Sequence, residues 1–201
     1  MTVLSEPAPD APALDAGAAR RAMIDSQLRP SGVNDPAVLA TFARVPREDY
    51  VPEAARGVAY MDRSVPLGGG KVLAPPVSHG LMLSEAHPNS ADRALVIDGG
   101  SGYLAALVAP MVGTLETIAP GGKPRGNDYT LLLIDGAIEE FPAALSVALA
   151  EEGRVVTGLI ERGVSRLAIG RKAAGKVGLL TLSEADFAPL AEFAAPRKWS
   201  F

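Results

Sequence analysis

A glycine cluster that directly follows an acidic residue is the stretch of this chain best suited to bind a ligand. Asp98 closes an apolar run at 94–97, and Gly99, Gly100, Ser101 and Gly102 come next, before an alanine-rich apolar run. This order predicts a buried strand, a tight turn and the start of a helix. Glycine suits such a turn because it adopts unusual backbone angles and lets a ligand approach the main chain closely.

Two more acidic residues lie within or directly after apolar stretches that are predicted to be strands. Glu116 lies near the end of a strand predicted at 114–118, and Asp135 closes the apolar run at 129–134. In an open α/β sheet, ligands bind in the crevice outside the carboxyl ends of the strands, where such acids would meet them. Each acid is also compatible with a solvated strand end, and the glycine cluster with a plain strand–turn–helix.

The second half of the chain alternates between apolar strand-like runs and helical spacing. Strands are predicted at 94–98, 114–118, 129–135 and 153–160, a helix at 138–150, and a hairpin of 165–170 with 176–182. Alternation of strands and helices indicates a parallel sheet with right-handed crossovers. The fold class is therefore α/β, a Rossmann-like sheet that is mostly parallel and ends in an antiparallel hairpin.

The N-terminal half reads as short helices and loops that cover this sheet. Helical spacing is found at 17–29, after Asp35-Pro36 and from Ser78 to Ala86, whereas 62–76 reads as a loop. We expect a loose tail at 1–16, a helical and loop region at 17–90 and a Rossmann-like sheet domain at 91–201. All three would form a single compact unit.

Composition narrows the possible functions. The 201 residues carry 19 Lys and Arg against 23 Asp and Glu, so no basic excess suggests binding to nucleic acid or to an anionic membrane surface. No apolar run reaches the ~18 residues of a membrane span. The absence of cysteine excludes thiolate chemistry and Cys-based metal sites, and it fits a cytoplasmic protein. The sequence predicts no metal site and does not indicate an oligomeric state.

Six stretches of the sequence, in this order along the chain, resemble the sequence motifs of one known protein family. They are Met23-Ile24-Asp25-Ser26-Gln27-Leu28-Arg29, Val45-Pro46-Arg47-Glu48-Asp49-Tyr50-Val51-Pro52-Glu53, Ala59-Tyr60-Met61-Asp62, Gly100-Ser101-Gly102-Tyr103, Ile134-Asp135-Gly136-Ala137 and the tail from Phe193 to Phe201. Over roughly residues 20–201 the chain resembles the protein-L-isoaspartate O-methyltransferases, in a divergent bacterial branch. Such a resemblance implies a class I fold that binds S-adenosylmethionine and methylates isoaspartyl carboxylates in damaged proteins or peptides.

The resemblance also assigns roles to the acids and the glycine loop. Asp98, Gly99, Gly100, Ser101 and Gly102 would form the cofactor loop at the methionine end of S-adenosylmethionine. Glu116 would take the ribose hydroxyls, and Asp135 would lie beside the cofactor. Methylation of a carboxylate needs little acid–base catalysis, because alignment of donor and acceptor supplies most of what a protein can contribute. A missing Ser/His/Asp or metal constellation therefore does not count against this chemistry.

Three features depart from the family pattern. Ala74 stands where the family has its active-site serine. The loop from Asp98 to Tyr103 is two residues shorter than the pattern acid-x-Gly-x-Gly-x-Gly-Tyr. Only residues 119–129 lie between Ile118 and Thr130, which is about the 10–12 residues that one crossover with its helix needs, whereas the family places a helix, a third strand and its connections here. The family's third strand does not fit there, so the sheet is predicted to lack that strand and the adenine pocket at its end.

These departures leave two functions open. The first is an S-adenosylmethionine-dependent isoaspartyl methyltransferase. The second is a degenerate member with the same fold and no turnover, which acts as a binding or structural module. A dinucleotide-dependent oxidoreductase is disfavoured, because the glycine cluster does not fit Gly-x-Gly-x-x-Gly and the terminal hairpin suits methyltransferases better.

Overall fold

The first part of the chain forms a helical layer with one small hairpin. A computed structural model describes residues 15–196. Its elements here are α1 (Ala16–Met23), a π-helical turn (Ile24–Leu28), α2 (Pro36–Arg44), 3₁₀ turns (Arg47–Tyr50 and Glu53–Val58), β1 (Val65–Gly68), β2 (Lys71–Leu73) and α3 (Pro76–Ala86). Asp35 caps α2, because its side chain accepts hydrogen bonds from the backbone N–H of Ala37 and Val38.

The second part forms the sheet. Its elements are β3 (Arg93–Ile97), α4 (Tyr103–Val108), β4 (Thr114–Ile118), β5 (Tyr129–Ile138), α5 (Ala143–Ala148), β6 (Leu149–Glu161), β7 (Val164–Ala173), β8 (Lys176–Glu184) and a 3₁₀ turn (Ala191–Phe193). The strand order is β4-β3-β5-β6-β7-β8. The first four strands are parallel, and β6, β7 and β8 pair antiparallel. The predicted α/β class with its terminal hairpin is confirmed.

Alternating side chains of the parallel strands divide the core into two layers. Val96, Leu131 and Leu133 pack against the helical layer and α4, in one buried cluster. Leu95, Ile97 and Leu132 point to the opposite face, in a second cluster with α5 and the C-terminal segment. Strands covered on both faces read as continuous apolar runs, which is the pattern these strands show.

The connection from β4 to β5 is too short to contain another strand. Residues 119–128 form turns and irregular backbone, and within residues 15–196 no strand pairs with the outer edge of β4. The sheet therefore begins at β4, as the short spacing predicts.

Two predictions of local structure are wrong. The helix predicted at 138–150 is only α5, because β5 continues to Ile138 and β6 already begins at Leu149. The loop predicted at 62–76 contains the β1–β2 hairpin, whose turn is formed by Gly68, Gly69 and Gly70, all with positive φ. That hairpin turns out to form one wall of the candidate site.

The predicted tail at 1–16 lies outside the described residues except for Asp15 and Ala16, which cap and begin α1. The boundary at residues 90 and 91 stays a prediction. Within residues 15–196, no helix is both long enough and apolar enough to cross a bilayer.

Candidate functional site

A cavity of about 490 Å³ opens at the carboxyl ends of β3, β4 and β5. It lies where the sheet order reverses, because β4 lies on one side of β3 and β5 on the other. Such a switch point is where open α/β sheets bind ligands. Five parts of the chain line the cavity: Gly69 to Val72, Asp98 to Gly100, Thr117 to Pro120, Asp135, and Ala188 to Glu192.

Asp98 holds the glycine loop in shape. One of its carboxylate oxygens, Oδ1, accepts hydrogen bonds from the backbone N–H of Gly100 (3.1 Å) and of Gly102 (2.9 Å). The loop is therefore closed around the side chain of the acid that precedes it. The carboxylate still borders the cavity, which leaves its other oxygen available to a ligand.

Gly99 and Gly100 cannot be replaced by larger residues without moving their neighbours. A Cβ on Gly99 would lie 2.1 Å from the backbone oxygen of Asp135. Gly100 has a φ of +113°, and a Cβ there would lie 2.4 Å from Cδ of Lys71. The loop thus packs directly on β5 on one side and on the stem of Lys71 on the other, in the close approach for which glycine is suited.

Asp135 lies beside Asp98, because Ile97 and Ile134, the residues before them, are partners in the parallel ladder. Its side chain is 5% exposed. Oδ1 lies 2.8 Å from Nε2 of the fully buried His79, and Oδ2 accepts a hydrogen bond from the Ser101 hydroxyl at 3.4 Å. Asp135 is thus oriented from both sides while still lining the cavity.

Behind His79 lies a buried aromatic and cationic cluster. The ring of Tyr103 packs against His79 (centroids 5.7 Å apart) and under the guanidinium of Arg47 (5.0 Å from the ring centroid). Arg47 is fully buried and donates hydrogen bonds to the backbone oxygens of Ala59 and Ala74, both at 2.6 Å. Burial lowers the pKa of Arg47 and raises that of the Tyr103 hydroxyl. This cluster supports the cavity without lining it.

Glu116 does not line the cavity. Its carboxylate accepts a hydrogen bond from the hydroxyl of Tyr129, at the amino end of β5, and another from the backbone N–H of Arg125 at 2.9 Å. The hydrogen bond from Tyr129 lowers the pKa of Glu116, and burial partly opposes this shift. In this structure Glu116 fastens the short β4–β5 connection, so the geometry does not support the predicted contact with a ribose.

The C-terminal segment forms another wall of the cavity. Beyond β8, the backbone of Ala188 and Leu190 makes two hydrogen bonds of 2.8 Å with Ala137 of β5. Glu192 follows and borders the cavity near Gly121, where a Cβ would lie 3.6 Å from Cγ of Glu192. Residues 187–196 thus cover this part of the sheet with mostly irregular backbone and one 3₁₀ turn, and 197–201 lie outside the described part.

Ala74, which the resemblance places at the family's serine position, is buried with 4% exposure and does not border the cavity. The nearby Ser78 donates a hydrogen bond from its hydroxyl to the backbone oxygen of Asp186 at 3.2 Å. It therefore anchors the C-terminal segment and does not take the place of a serine at residue 74.

The structure brings together four of the predicted site residues: Asp98, Gly99, Gly100 and Asp135 line the cavity. Ser101 and Gly102 lie in the loop behind them. Sequence reasoning missed Lys71 and Glu192 on the cavity wall and the His79 partner of Asp135. The sequence signal for Lys71 was the run of three glycines before it, which is compatible with a hairpin turn.

Comparison with known proteins identifies a family pattern in the first half of the chain. Residues 18–119 match the sequence model of the family described as protein-L-isoaspartate(D-aspartate) O-methyltransferase. This region contains the helical layer, the hairpin wall, the glycine loop and β4.

Individual relatives match over most of their length. A protein-L-isoaspartate O-methyltransferase of Koribacter versatilis is 31% identical, over 85% of this chain and 90% of the relative. Protein-L-isoaspartate O-methyltransferase 1 of Rhodopseudomonas palustris is 29% identical, over 86% of this chain and 83% of the relative.

A solved structure has the same fold. It is a Plasmodium falciparum protein, named as a protein-L-isoaspartate O-methyltransferase and crystallised with S-adenosyl-L-homocysteine. The TM-score is 0.72 at 19% identity, and the match covers 86% of this chain and 98% of that chain.

Proposed function

Because the chain belongs to the protein-L-isoaspartate O-methyltransferase family, we propose that it transfers a methyl group from S-adenosylmethionine to an isoaspartyl carboxylate in damaged proteins or peptides. The observation that carries this proposal is the cavity at the switch point of the sheet, with Asp98, Asp135 and the glycine loop on its border. Its volume of about 490 Å³ lies within the range of small-molecule pockets.

The residues present fit a cationic nucleoside. Asp98 and Asp135 place two carboxylates side by side, and opposite charges attract strongly where water is partly excluded. Gly99 and Gly100 leave backbone exposed where any side chain would collide with Asp135 or Lys71. We therefore assign Asp98, Gly99, Gly100 and Asp135 to direct binding, and Ser101 and Gly102 to the shape of the loop.

When bound, S-adenosylmethionine supplies an electrophilic methyl group on a positively charged sulfur. The accepting carboxylate is already ionised near neutral pH, so the chain does not need a general base. What the protein contributes is alignment of the two reactants and exclusion of water. The hairpin wall and the C-terminal wall, which line the cavity together with the glycine loop, suit that task.

Lys71 supports binding of a carboxylate. It is the basic residue among those that line the cavity, and its stem lies over Gly100. Its ammonium group is therefore placed to attract either the carboxylate of the cofactor's amino-acid end or that of the substrate.

One pair of observations favours the degenerate alternative, a binding module without turnover. Ala74 offers no hydroxyl, and Ala119 offers no carboxylate at the end of β4. Ala119 borders the cavity, where a carboxylate would add a polar contact, whereas Ala74 is buried and does not border it. The two functions share the fold and differ in whether methyl transfer occurs.

Calorimetry followed by an activity assay tests the proposal. We expect S-adenosylmethionine and S-adenosylhomocysteine to bind, and a labelled methyl group to be transferred to an isoaspartyl peptide and not to the same peptide with normal aspartate. Absence of heat at millimolar ligand would contradict the proposed function. Binding with no labelling would favour the degenerate alternative, and equal labelling of both peptides would remove the repair assignment.

Three predictions from composition and patterning belong to the same proposal. We place the protein in the cytoplasm, without a nucleic-acid partner, and we keep 17–90 and 91–201 as its two regions. The charge balance and the absence of cysteine support the first two.

A further inference from the structure

A bound adenosine group needs an acceptor for its ribose hydroxyls, and the acid predicted for this role is occupied elsewhere. Both oxygens of Glu116 accept hydrogen bonds from within the chain, one from Tyr129 and one from Arg125. Glu116 is also absent from the cavity wall. A ligand in the cavity could reach the carboxylate of Glu116 only if these hydrogen bonds with the β4–β5 connection were broken.

The end of β4 itself offers no replacement. Ile97 and Ile118 are partners in the ladder, and the backbone N–H of Asp98 donates to the oxygen of Ile118 at 2.9 Å. Ala119 thus follows β4 as Asp98 follows β3. Its methyl group borders the cavity where an acid on β4 would have met the ligand.

A carboxylate reaches the same rim from the other end of the chain. Glu192 borders the cavity and its methylene groups lie against Gly121, two residues beyond Ala119. The backbone around Glu192 is held in place, because Leu190 pairs with Ala137 and the oxygen of Phe193 accepts hydrogen bonds from the N–H of Glu139 (3.0 Å) and Glu140 (3.3 Å). Glu192 borders the cavity and is exposed, so a carboxylate at this rim carries no cost of burying a charge.

We infer that Glu192 accepts the hydrogen bonds of the ribose hydroxyls when the adenosine group occupies this cavity. The inference rests on the proposed function, and it assigns cofactor recognition to the C-terminal segment in place of β4. Acids serve this purpose in nucleotide-binding sheets because a carboxylate accepts from two neighbouring hydroxyls at once. With Asp98 and Asp135 at the sulfonium end, the cavity would then present carboxylates to both polar ends of the nucleoside.

Calorimetry with two ligands tests this assignment. The ligands are S-adenosylhomocysteine and its 2′,3′-dideoxy derivative, and the proteins are wild type, Glu192→Ala and Glu140→Ala. Glu140 is an exposed acid on the backbone that holds the segment, and it does not border the cavity, so its variant controls for charge. We expect Glu192→Ala to weaken S-adenosylhomocysteine binding by ~10- to ~100-fold, the effect of losing hydrogen bonds to a charged group. Binding of the dideoxy ligand should not change.

Each outcome bears on a separate claim. If wild type does not bind S-adenosylhomocysteine, the proposed function fails together with this inference. If wild type binds and Glu192→Ala binds equally well, only the inference is overturned. Equal weakening of both ligands by Glu192→Ala would also overturn it, because the effect would not depend on the hydroxyls. Circular dichroism of each variant checks that the fold is retained.

Discussion

The two ends of strand β3 carry one aspartate each, and the two residues are used in opposite ways. Asp92, just before the strand, is 4% exposed and receives hydrogen bonds from the Thr130 hydroxyl (2.8 Å), the Asn89 N–H (2.9 Å) and the guanidinium of Arg154. Arg154 also donates to the backbone oxygens at the end of α3. At the amino ends of the strands, every oxygen of the acid is therefore paired within the chain.

At the carboxyl ends of the strands, Asp98 and Asp135 have no arginine partner among the described residues that corresponds to Arg154 at Asp92. Asp98 is held by its own loop and Asp135 by His79 and Ser101, while both border the cavity. The comparison indicates that the amino end of the sheet stabilises the fold, and that the carboxyl end keeps negative charge available for a ligand.

The largest effect is expected at the amino end. Asp92→Asn removes the charge partner of a mostly buried arginine, so we expect the free energy of unfolding to fall by about 3 kcal/mol. Asp98→Asn, the matched change at the other end, should cost less than about 1 kcal/mol because its hydrogen bonds are local. Urea denaturation of both variants measures the difference. Equal losses would contradict the division of roles between the two ends.

The next effect concerns ligand affinity. Asp98→Ala removes both the charge and the acceptor that shapes the glycine loop, and we expect S-adenosylhomocysteine binding to weaken by more than about 100-fold. Asp98→Asn keeps an acceptor for Gly100 and Gly102, so it should bind better than the alanine variant. Calorimetry compares the two with Asp92→Asn at a temperature where all are folded. Unchanged affinity in Asp98→Ala would show that the site lies elsewhere.

A smaller loss of stability is expected behind the cavity. His79→Leu leaves one oxygen of Asp135 without its buried partner, which should lower the free energy of unfolding by about 2 kcal/mol. His79→Gln retains a donor near the position of Nε2 and should recover part of that loss. Thermal or urea unfolding measures both variants. If the glutamine and leucine variants are destabilised equally, the 2.8 Å contact between His79 and Asp135 does not contribute to the free energy of unfolding.

The smallest effect is a dependence on pH. Burial alone would raise the pKa of Asp92, but hydrogen bonds from Arg154 and Thr130 outweigh it and hold the pKa below its ordinary value. The stabilisation is therefore complete above the unfolded pKa of about 3.9 and is lost as pH falls through the lower folded value. Wild type should lose stability more steeply than Asp92→Asn below about pH 4. Parallel slopes would contradict this role of Asp92.

The strands and the glycine turn at the carboxyl end of the sheet could be predicted from local sequence. Apolar runs closed by an acid identified β3 and β5, and the glycines after Asp98 identified the turn, because these signals depend on neighbours in the chain. The short spacing between β4 and β5 likewise predicted a sheet that begins at β4.

Other features depend on contacts between distant residues and leave little local signal. Glu116 was expected at the cavity, yet Tyr129 and Arg125 determine where its carboxylate points. The predicted helix at 138–150 was cut short because Ala137 and Ile138 continue the ladder with β6. Lys71 and Glu192 reach the cavity only through the packing of a hairpin and a C-terminal segment.

The C-terminal wall has a consequence for how the protein matures during synthesis. The glycine loop, the sheet and the hairpin wall all precede Ala188, so they leave the ribosome before the segment from Ala188 to Glu192 does. Folding proceeds from the N-terminus as the chain emerges, so the sheet can form while the cavity still lacks one side. A chain cut just after β8 would lack this wall of the cavity, and it would also lack Phe187 and Phe193, which are buried in the two core clusters. Synthesis of the segment from Ala188 to Glu192 would thus complete the cavity after the strands of the sheet have been made.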